Sequence, residues 1–489
     1  MREGETRPKS FLSSLSHYLT GRGLKYVASF ISYPILTRLL PPEEYGLMGL
    51  VSAVVLFATA AAKGGQQEAL VRFFPEHRGK DGAVALVSTV LGAVLAGGLV
   101  ITVLYAVVAT ALAERLGAAL HMALIAGAGL CIVRPLSSVL LNLVRSREQT
   151  RAYQVFDLLE TWGALGAVMT VVLLVRQDAA GVLWARTAAE GVVLVALAVW
   201  ALRRSGARPG AARGAILGAT LAYGLPLVLF EMTNVALAFA DRVIVLNLRG
   251  ALELGDYTAA YNLGFQAKDA IVLPIGLAVT PIYMRLFSEE GPAATSAFLA
   301  KVHRLFWLVA LPAITGMIAV RVDLITLLAS ARYAGAADVV PWVFGGGLVY
   351  GAYVYAAAGL YVERRTRLMT GLAAVAVALN LLLNLLWVPE AGALGAARAT
   401  AVAYAFLFVA LAVASYRRLP FELAPVALLR YAAGAALVHA TASAVSIEPL
   451  ALRLVARIGA GIAAYAAWTL LTDRDARDRV TALLRRRAP

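Results

Sequence analysis

The chain has 489 residues, of which 61% are hydrophobic and only 15% are charged, and its mean hydropathy is +0.76. Soluble globular domains carry about 25% charged residues, so this composition excludes the soluble classes and indicates a membrane protein. The net charge of +15 would suit a nucleic-acid partner, but the placement of the basic residues argues against one. The chain has a single cysteine, Cys131, which excludes a disulfide framework.

Apolar stretches recur along the whole chain, each about 20 residues long, which is the length a helix needs to cross the hydrocarbon core. The polar segment 1–18 leads into the first stretch without a cleavage motif, so we predict a cytoplasmic segment followed by a retained helix. The sequence therefore predicts an all-α polytopic membrane protein with about fourteen transmembrane helices. The predicted spans lie at about 19–40, 46–70, 83–111, 117–144, 152–175, 180–202, 216–246, 256–287, 300–328, 335–361, 366–388, 392–416, 422–445 and 449–472.

Lysine and arginine concentrate on alternate connections between these spans, for example at 145–151, 203–213, 363–367 and 417–418. The intervening connections hold few basic residues. The positive-inside rule then predicts that both termini of this multi-pass protein are cytoplasmic. Arginine far outnumbers lysine and alanine is abundant, which is typical of a GC-rich bacterial genome, so the expected location is the bacterial inner membrane. The excess of positive charge is thus a topology signal and an attraction to anionic lipid, and no nucleic-acid partner is expected.

Several short motifs occur twice, six spans apart. The predicted arrangement is a pair of six-helix halves that enter the membrane from the same side, followed by two further helices. The alternative is a chance match between stretches rich in alanine, leucine, valine and glycine. The matching pairs are "LTRLLPPEEYG" (36–46) with "ADRVIVLNLRGALELGDY" (240–257), "ALVRFFPE" (69–76) with "IYMRLFSE" (282–289), and "DAAGVLWARTAAE" (178–190) with "EAGALGAARATA" (390–401).

This repeat divides the chain into an N-lobe at 19–202, a cytoplasmic linker at 203–215 and a C-lobe at 216–416. The last two helices occupy 422–472, and a cytoplasmic tail is predicted at 473–489. Function is therefore expected to lie within the helices and their short connections.

The same motifs carry a family resemblance. "LTRLLPPEEYG", "YGLPLVLFEMTNVALAFADRVIVLNL", "GDYTAAYNLG" and "NLLLNLLWVPEAGALGAARAT" together resemble the polysaccharide transporter (Wzx-like) branch of the MOP superfamily, which also contains the MATE drug exporters and the lipid II flippase. The resemblance implies two six-helix lobes in a V shape and alternating access. The cargo it implies is an undecaprenyl-diphosphate-linked oligosaccharide, moved from the cytoplasmic to the outer leaflet for surface polysaccharide export. It implies membrane lipids and other polysaccharide assembly proteins as partners, and no cofactor other than a coupling ion, H⁺ or Na⁺.

Charged residues inside the spans are the candidates for a substrate site. A charge at the centre of a bilayer costs about 2.5–3.5 kcal/mol on insertion scales, so such residues face the protein interior or water. A diphosphate headgroup needs positive charge in a cavity, and the alternative for each residue is a structural pair with an acid. The candidates for a cationic cavity are Lys25, Lys63, Arg134 and Lys268.

Other intramembrane charges have different expected roles. Arg186 and Glu190 are four residues apart on one helix face and are expected to form a structural pair. The candidates for ion coupling or charge pairing are Glu231, Asp269, Asp241 and Arg242.

Two other functions are compatible with this architecture. An ion-coupled, MATE-like exporter of drugs or other small molecules would need acids in its cavity, because such cargo is usually cationic. A membrane polymerase for the same glycolipids would be an enzyme and would need a substantial outer loop with catalytic groups. Every predicted outer loop is short, and we find no catalytic constellation or metal site, so the sequence predicts a transporter and not an enzyme.

Overall fold

The computed structural model describes residues 7–77, 79–363, 365–420, 424–473 and 477. The basic residues Arg2, Arg78 and Arg364, the first six residues of the predicted cytoplasmic segment and most of the predicted tail lie outside the described residues.

The regular secondary structure of the described residues is helical, with three short 3₁₀ helices at Phe74–His77, Pro209–Ala211 and Ala331–Ala336. The α-helices are α1 (Arg7–Leu39), α2 (Pro42–Lys63), α3 (Gln66–Phe73), α4 (Lys80–Ala111), α5 (Ala113–Leu116), α6 (Ala118–Ala128), α7 (Leu130–Ser146), α8 (Thr150–Leu174), α9 (Ala179–Ser205), α10 (Gly214–Phe239), α11 (Asp241–Arg249), α12 (Ala251–Glu289), α13 (Gly291–Leu328), α14 (Val339–Ala356), α15 (Ala358–Val362), α16 (Thr366–Tyr416), α17 (Pro425–Ala444) and α18 (Leu450–Thr472).

Eleven helices in the described part of the chain are long and apolar enough to cross a membrane. The 51-residue α16 counts as one of them, although it covers the eleventh and twelfth predicted spans. The helices α1 and α17 coincide with the first and thirteenth predicted spans but are not among the eleven. The first helix begins at Arg7, well before the predicted start near residue 19. The predicted all-α polytopic fold is confirmed.

The long helix α16 is interrupted at Gly392, where φ is +54° and ψ is −134°. This backbone conformation favours glycine, and a Cβ atom at this position would collide with the side chain of Glu253. The interruption separates the two spans that the sequence predicts at 366–388 and 392–416.

The internal repeat reappears as matching contacts between equivalent helices. A carboxylate oxygen of Glu44, at the start of α2, accepts a 2.9 Å hydrogen bond from the backbone N–H of Ala179 at the start of α9. Six spans later, Glu253 at the start of α12 accepts a 2.7 Å hydrogen bond from the backbone N–H of Ala393, just after the interruption in α16. Each carboxylate satisfies an otherwise unpaired N–H group at the N-terminal end of a helix and complements the helix dipole there.

The arginines of the first motif pair share one local contact, although Arg38 is exposed and Arg242 is buried. Arg38 donates a 3.0 Å hydrogen bond from Nη1 to the carbonyl oxygen of Pro34, four residues earlier, and Arg242 donates a 3.2 Å bond in the same way to Ala238. The matched carboxylate contacts of Glu44 and Glu253 favour a repeat over a chance match between apolar stretches.

The chain forms two compact units, divided between Val243 and Ile244. The seventh predicted span begins the second half of the repeat, but most of it, α10, packs within the first unit. The backbones of Gly65 and Gly224 are so close that a Cβ atom on either residue would collide with the other. Glycine therefore allows α10 to approach the turn between α2 and α3 closely, and the packing boundary at 243 differs from the repeat boundary at 216.

We expect Gly224→Ala to destabilise the protein by about 1–3 kcal/mol, the usual effect of overpacking. The matched control is Gly218→Ala on the same helix, where a Cβ atom would have nothing within 4 Å. Alanine in a helix is favoured over glycine by about 0.5–1 kcal/mol, so the control should be neutral or stabilising. Thermal unfolding of the purified variants in detergent measures both effects. Equal melting temperatures for the two variants would contradict the close packing.

Candidate functional site

A charged cavity of about 550 Å³ lies within the first unit, between α1, α2, α7, α8 and α9. Three of the four predicted cavity cations, Lys25, Lys63 and Arg134, lie on its walls, so the structure brings them together. The charged residues that line it are Lys25, Lys63, Arg134, Asp157, Glu160, Arg186 and Glu190.

Helical periodicity explains why so many polar groups face one cavity. On α1, Lys25, Ser29 and Ser32 follow one another at spacings of four and three residues and share one face. On α8, Asp157 and Glu160 are three residues apart, and the same face continues into apolar residues. Each of these helices therefore presents a polar stripe to the cavity inside a largely apolar span.

Two of the predicted cations are paired with carboxylates. Lys25 forms an ion pair with Asp157 across α1 and α8. The Nζ atom of Lys63, at the end of α2, lies 2.7 Å from a carboxylate oxygen of Glu231 on α10. Glu231 was expected to act in ion coupling or charge pairing, and the structure shows it in a pair.

Arg134 and Glu190 form the best-defined pair in the cavity. The Nε and Nη2 atoms of Arg134 each donate a 2.9 Å hydrogen bond to a different carboxylate oxygen of Glu190. This two-point geometry matches the planar guanidinium to the carboxylate and is stronger than a single contact between neighbours on one helix. The expected pair of Arg186 with Glu190 is not formed among the described residues, because the side chain of Glu190 pairs with Arg134 on α7 instead.

The cavity therefore contains one cation without a salt bridge, Arg186, among the residues that the structure describes. It also contains one acid without a salt bridge, Glu160, whose only hydrogen bond in the same part of the chain comes from the Ser137 hydroxyl at 3.4 Å. An arginine with its donors available in a polar, partly enclosed space is suited to bind an anion such as a phosphate oxygen.

Lys268, the fourth predicted cavity cation, lies elsewhere. It belongs to α12 in the second unit and packs against Gly347 of α14, with 5% of its surface exposed. Its Nζ atom is 2.6 Å from Asp269 and 3.6 Å from the ring centre of Phe265. These contacts resemble a buried structural pair with a cation–π interaction, and Lys268 is not among the residues that line the cavity of the first unit.

The remaining predicted pair, Asp241 and Arg242, is also buried. The guanidinium of Arg242 is 3.8 Å from Asp241 and 4.5 Å from the centre of the Phe239 ring, and Arg242 is 1% exposed. Burial on this scale favours charge pairing as the role of these two residues.

A second cavity, of about 520 Å³, lies between α13, α17 and α18 in the second unit. Its lining is apolar except for two side chains, Arg457 and Tyr465, and Arg457 is 2.7 Å from Asp323. This cavity offers no unpaired charge to a polar headgroup.

Asp157 and Glu160 are not among the site residues predicted from the sequence, and the role predicted for Arg186 is purely structural. A signal for the acids was present, since "DLLET" at 157–161 places three polar residues on one face of an apolar span. The sequence offered no such signal for Arg186. Whether Arg186 forms a salt bridge depends on which helix supplies the partner of Glu190.

The fold is similar to those of solved transporters. The lipid II flippase MurJ in its inward closed conformation superposes with a TM-score of 0.76 over 94% of this chain and 99% of that chain, at 11% identity. An inward-facing multidrug resistance MATE family transporter of the MOP superfamily gives 0.67 over 81% of this chain and 94% of that one, at 14% identity. MATE in complex with MaL6 gives 0.58 over 82% and 93%, at 13% identity. The chain is thus a multi-pass membrane protein with the fold of these transporters.

Sequence comparisons place the chain more narrowly. A search of curated proteins finds no match. The model of the family described as "Polysaccharide biosynthesis protein" matches residues 11–287, more than half of the chain and all of the cavity described above. The chain belongs to this polysaccharide biosynthesis protein family.

Proposed function

We propose that this protein is a flippase that moves an oligosaccharide linked to a polyprenyl diphosphate from the cytoplasmic to the outer leaflet of a bacterial inner membrane. Both termini would be cytoplasmic, and alternating access would expose the cavity to each side in turn. The energy would come from an H⁺ or Na⁺ gradient or from the membrane potential.

The observation that carries this proposal is the charge pattern of the cavity in the first unit. Four cations line it inside a bundle of membrane-spanning helices, and Arg186 has no salt bridge in the described structure. An anionic headgroup pays a large desolvation cost on leaving water, and hydrogen bonds from the basic side chains of a polar cavity offset that cost. Membership of a polysaccharide biosynthesis family and a fold shared with a protein named as a lipid II flippase support the same cargo class.

A second candidate, export of cationic small molecules, has one observation in its favour. Glu160 lines the same cavity without a salt bridge in the described residues, and the fold is shared with MATE transporters. We favour the flippase because cations outnumber acids among the residues that line the cavity.

Reconstituted proteoliposomes test the two candidates side by side. One set receives a fluorescent glycolipid with a prenyl diphosphate linkage, and its transfer between leaflets is followed by quenching from outside. The other set contains a cationic dye and an imposed H⁺ or Na⁺ gradient. Faster glycolipid transfer than in protein-free liposomes supports the flippase, and dye movement without glycolipid transfer supports the exporter.

The proposal includes no chemical conversion of the cargo. Glycolipid recovered after transfer should therefore have an unchanged mass and glycan length. A lengthened glycan would instead support the polymerase alternative.

A further inference from the structure

We propose that Glu160 takes up a proton when the diphosphate headgroup enters the cavity of the first unit. This inference rests on the proposed function and concerns how the same cavity accommodates the charge of its cargo. It links the affinity for the headgroup to pH through one carboxyl group.

The charged side chains in and beside the cavity nearly balance one another. Lys25, Lys63, Arg134 and Arg186 contribute four positive charges to the lining. Three acids of the lining and Glu231, the partner of Lys63, contribute as many negative charges when ionised. The empty cavity is therefore close to neutral in spite of its many basic residues.

The diphosphate of the cargo would add negative charge to this balanced cavity. A diphosphate that is esterified at both ends carries two negative charges, and neither is removed by protonation near neutral pH. Its entry would leave a neutral cavity with two uncompensated negative charges among helices that span the membrane. Charges of like sign disfavour each other strongly in such surroundings, so a compensating positive charge lowers the free energy of the loaded state.

Protonation of one carboxylate would supply the compensating charge, and the four carboxylates differ in what they would lose. Asp157, Glu190 and Glu231 each form a salt bridge, and protonation of any of them would sacrifice that pair. Glu160 has no salt bridge among the described residues, and its one hydrogen bond there, from Ser137, is long. Protonation of Glu160 therefore breaks the fewest interactions.

The charged groups around Glu160 come from every helix packed on α8. Lys25 faces it from α1 and Arg134 from α7, while Glu190 from α9 and Asp157 from its own helix act on it with like charge. Arg186 on α9 and Lys63 on α2 line the same cavity. Lys25 and Arg134 are each held by another carboxylate, so an anion bound in the cavity would add a like charge near Glu160 without a free cation from α1 or α7 to offset it.

The linkage has a sign that can be measured. If a bound headgroup raises the proton affinity of Glu160, protonation of Glu160 must raise the affinity for the headgroup by the same factor. Affinity should therefore be highest at low pH and should fall as pH rises. A headgroup that travels with one proton still carries one net negative charge, so an inside-negative potential would favour its outward movement.

The test uses the full-length protein in lipid nanodiscs and a short-chain prenyl diphosphate N-acetylglucosamine as the probe. Binding is measured between pH 5.5 and 8.5, and proton uptake is followed with an indicator dye in weak buffer. For the wild type we expect about a tenfold loss of affinity across this range and close to one proton taken up per probe bound at the upper end. For Glu160→Gln we expect binding at all pH values, without proton uptake and without pH dependence.

Two further variants guard against indirect effects. Glu160→Asp keeps a carboxyl group at the same place and should keep the proton uptake. Glu148→Gln removes an exposed carboxyl group before α8, outside the cavity, and should behave like the wild type. Proton uptake by Glu160→Gln equal to that of the wild type would overturn the inference.

The design separates the inference from the function on which it rests. Binding of the probe by the wild type without proton uptake contradicts the role of Glu160 and leaves the flippase proposal intact. A wild-type protein that does not bind the diphosphate probe at any pH contradicts the proposed function and the inference together.

Discussion

Replacement of Arg186 by glutamine is expected to reduce glycolipid transfer in proteoliposomes by about 10- to 100-fold. Arg186 is the cavity cation without a salt bridge in the described residues, so its hydrogen bonds are the ones available to a phosphate. A hydrogen bond to a charged group contributes about 1.5–3 kcal/mol, which corresponds to this range of rates or affinities. Arg186→Lys keeps the charge but loses the planar, two-point geometry, and it should retain part of the activity.

The matched control for Arg186 is Arg398, which occupies the corresponding motif in the second half of the repeat. Its exposed side chain lies 5.5 Å from the centre of the Trp342 ring, in the other unit. Arg398→Gln should leave transfer within about twofold of the wild type, since surface substitutions usually have small effects. An equal loss of transfer in both variants would show that the free guanidinium in the cavity is not what binds the cargo.

The second large effect is expected from the pair of Arg134 and Glu190. Their side chains are 23% and 7% exposed, and removing one member leaves the other charge without its partner. Loss of one partner of a buried ion pair costs about 3–5 kcal/mol of stability. We therefore expect Glu190→Met and Arg134→Met each to lower the free energy of unfolding substantially.

The double variant distinguishes this cause from simple damage to packing. If the unpaired charge is responsible, Arg134→Met combined with Glu190→Met should be more stable than either single charge-removing variant, because no charge is left without a partner. Chemical unfolding in detergent measures all three. Glu76→Gln is the control, because the pair of Arg72 and Glu76 is exposed on both sides and such pairs contribute about 0–1 kcal/mol. Additive losses in the double variant would contradict the expectation.

Much of the fold could be predicted from the sequence, because the bilayer imposes a simple length and polarity rule on each span. The break at Gly392 illustrates this, since the charged and glycine-rich motif at 390–401 already predicted a connection between two spans. The repeat was also readable, and the hydrogen bonds from Ala179 to Glu44 and from Ala393 to Glu253 give it a structural basis.

The candidate site was predictable only in part. The cost of a charge inside the bilayer predicts that Lys25, Lys63 and Arg134 face the protein interior or water, and all three line the cavity. The periodicity of a helix then shows which residues share a face. It does not show which other helix lies opposite that face. Lys268 is likewise a basic residue inside a predicted span, yet it packs against Gly347 and pairs with its own neighbour, Asp269.

By itself, the sequence determined that the chain is a polytopic helical membrane protein with an internal repeat and with charges placed inside its spans. Tertiary structure alone decided that α10 packs with the first unit, through the contact of Gly65 with Gly224, and that Glu190 pairs with Arg134 and leaves Arg186 available. The physical reason is that hydropathy and helical period act along one helix, whereas the partner of a buried charge is set by the distance and orientation between helices that are far apart in the chain.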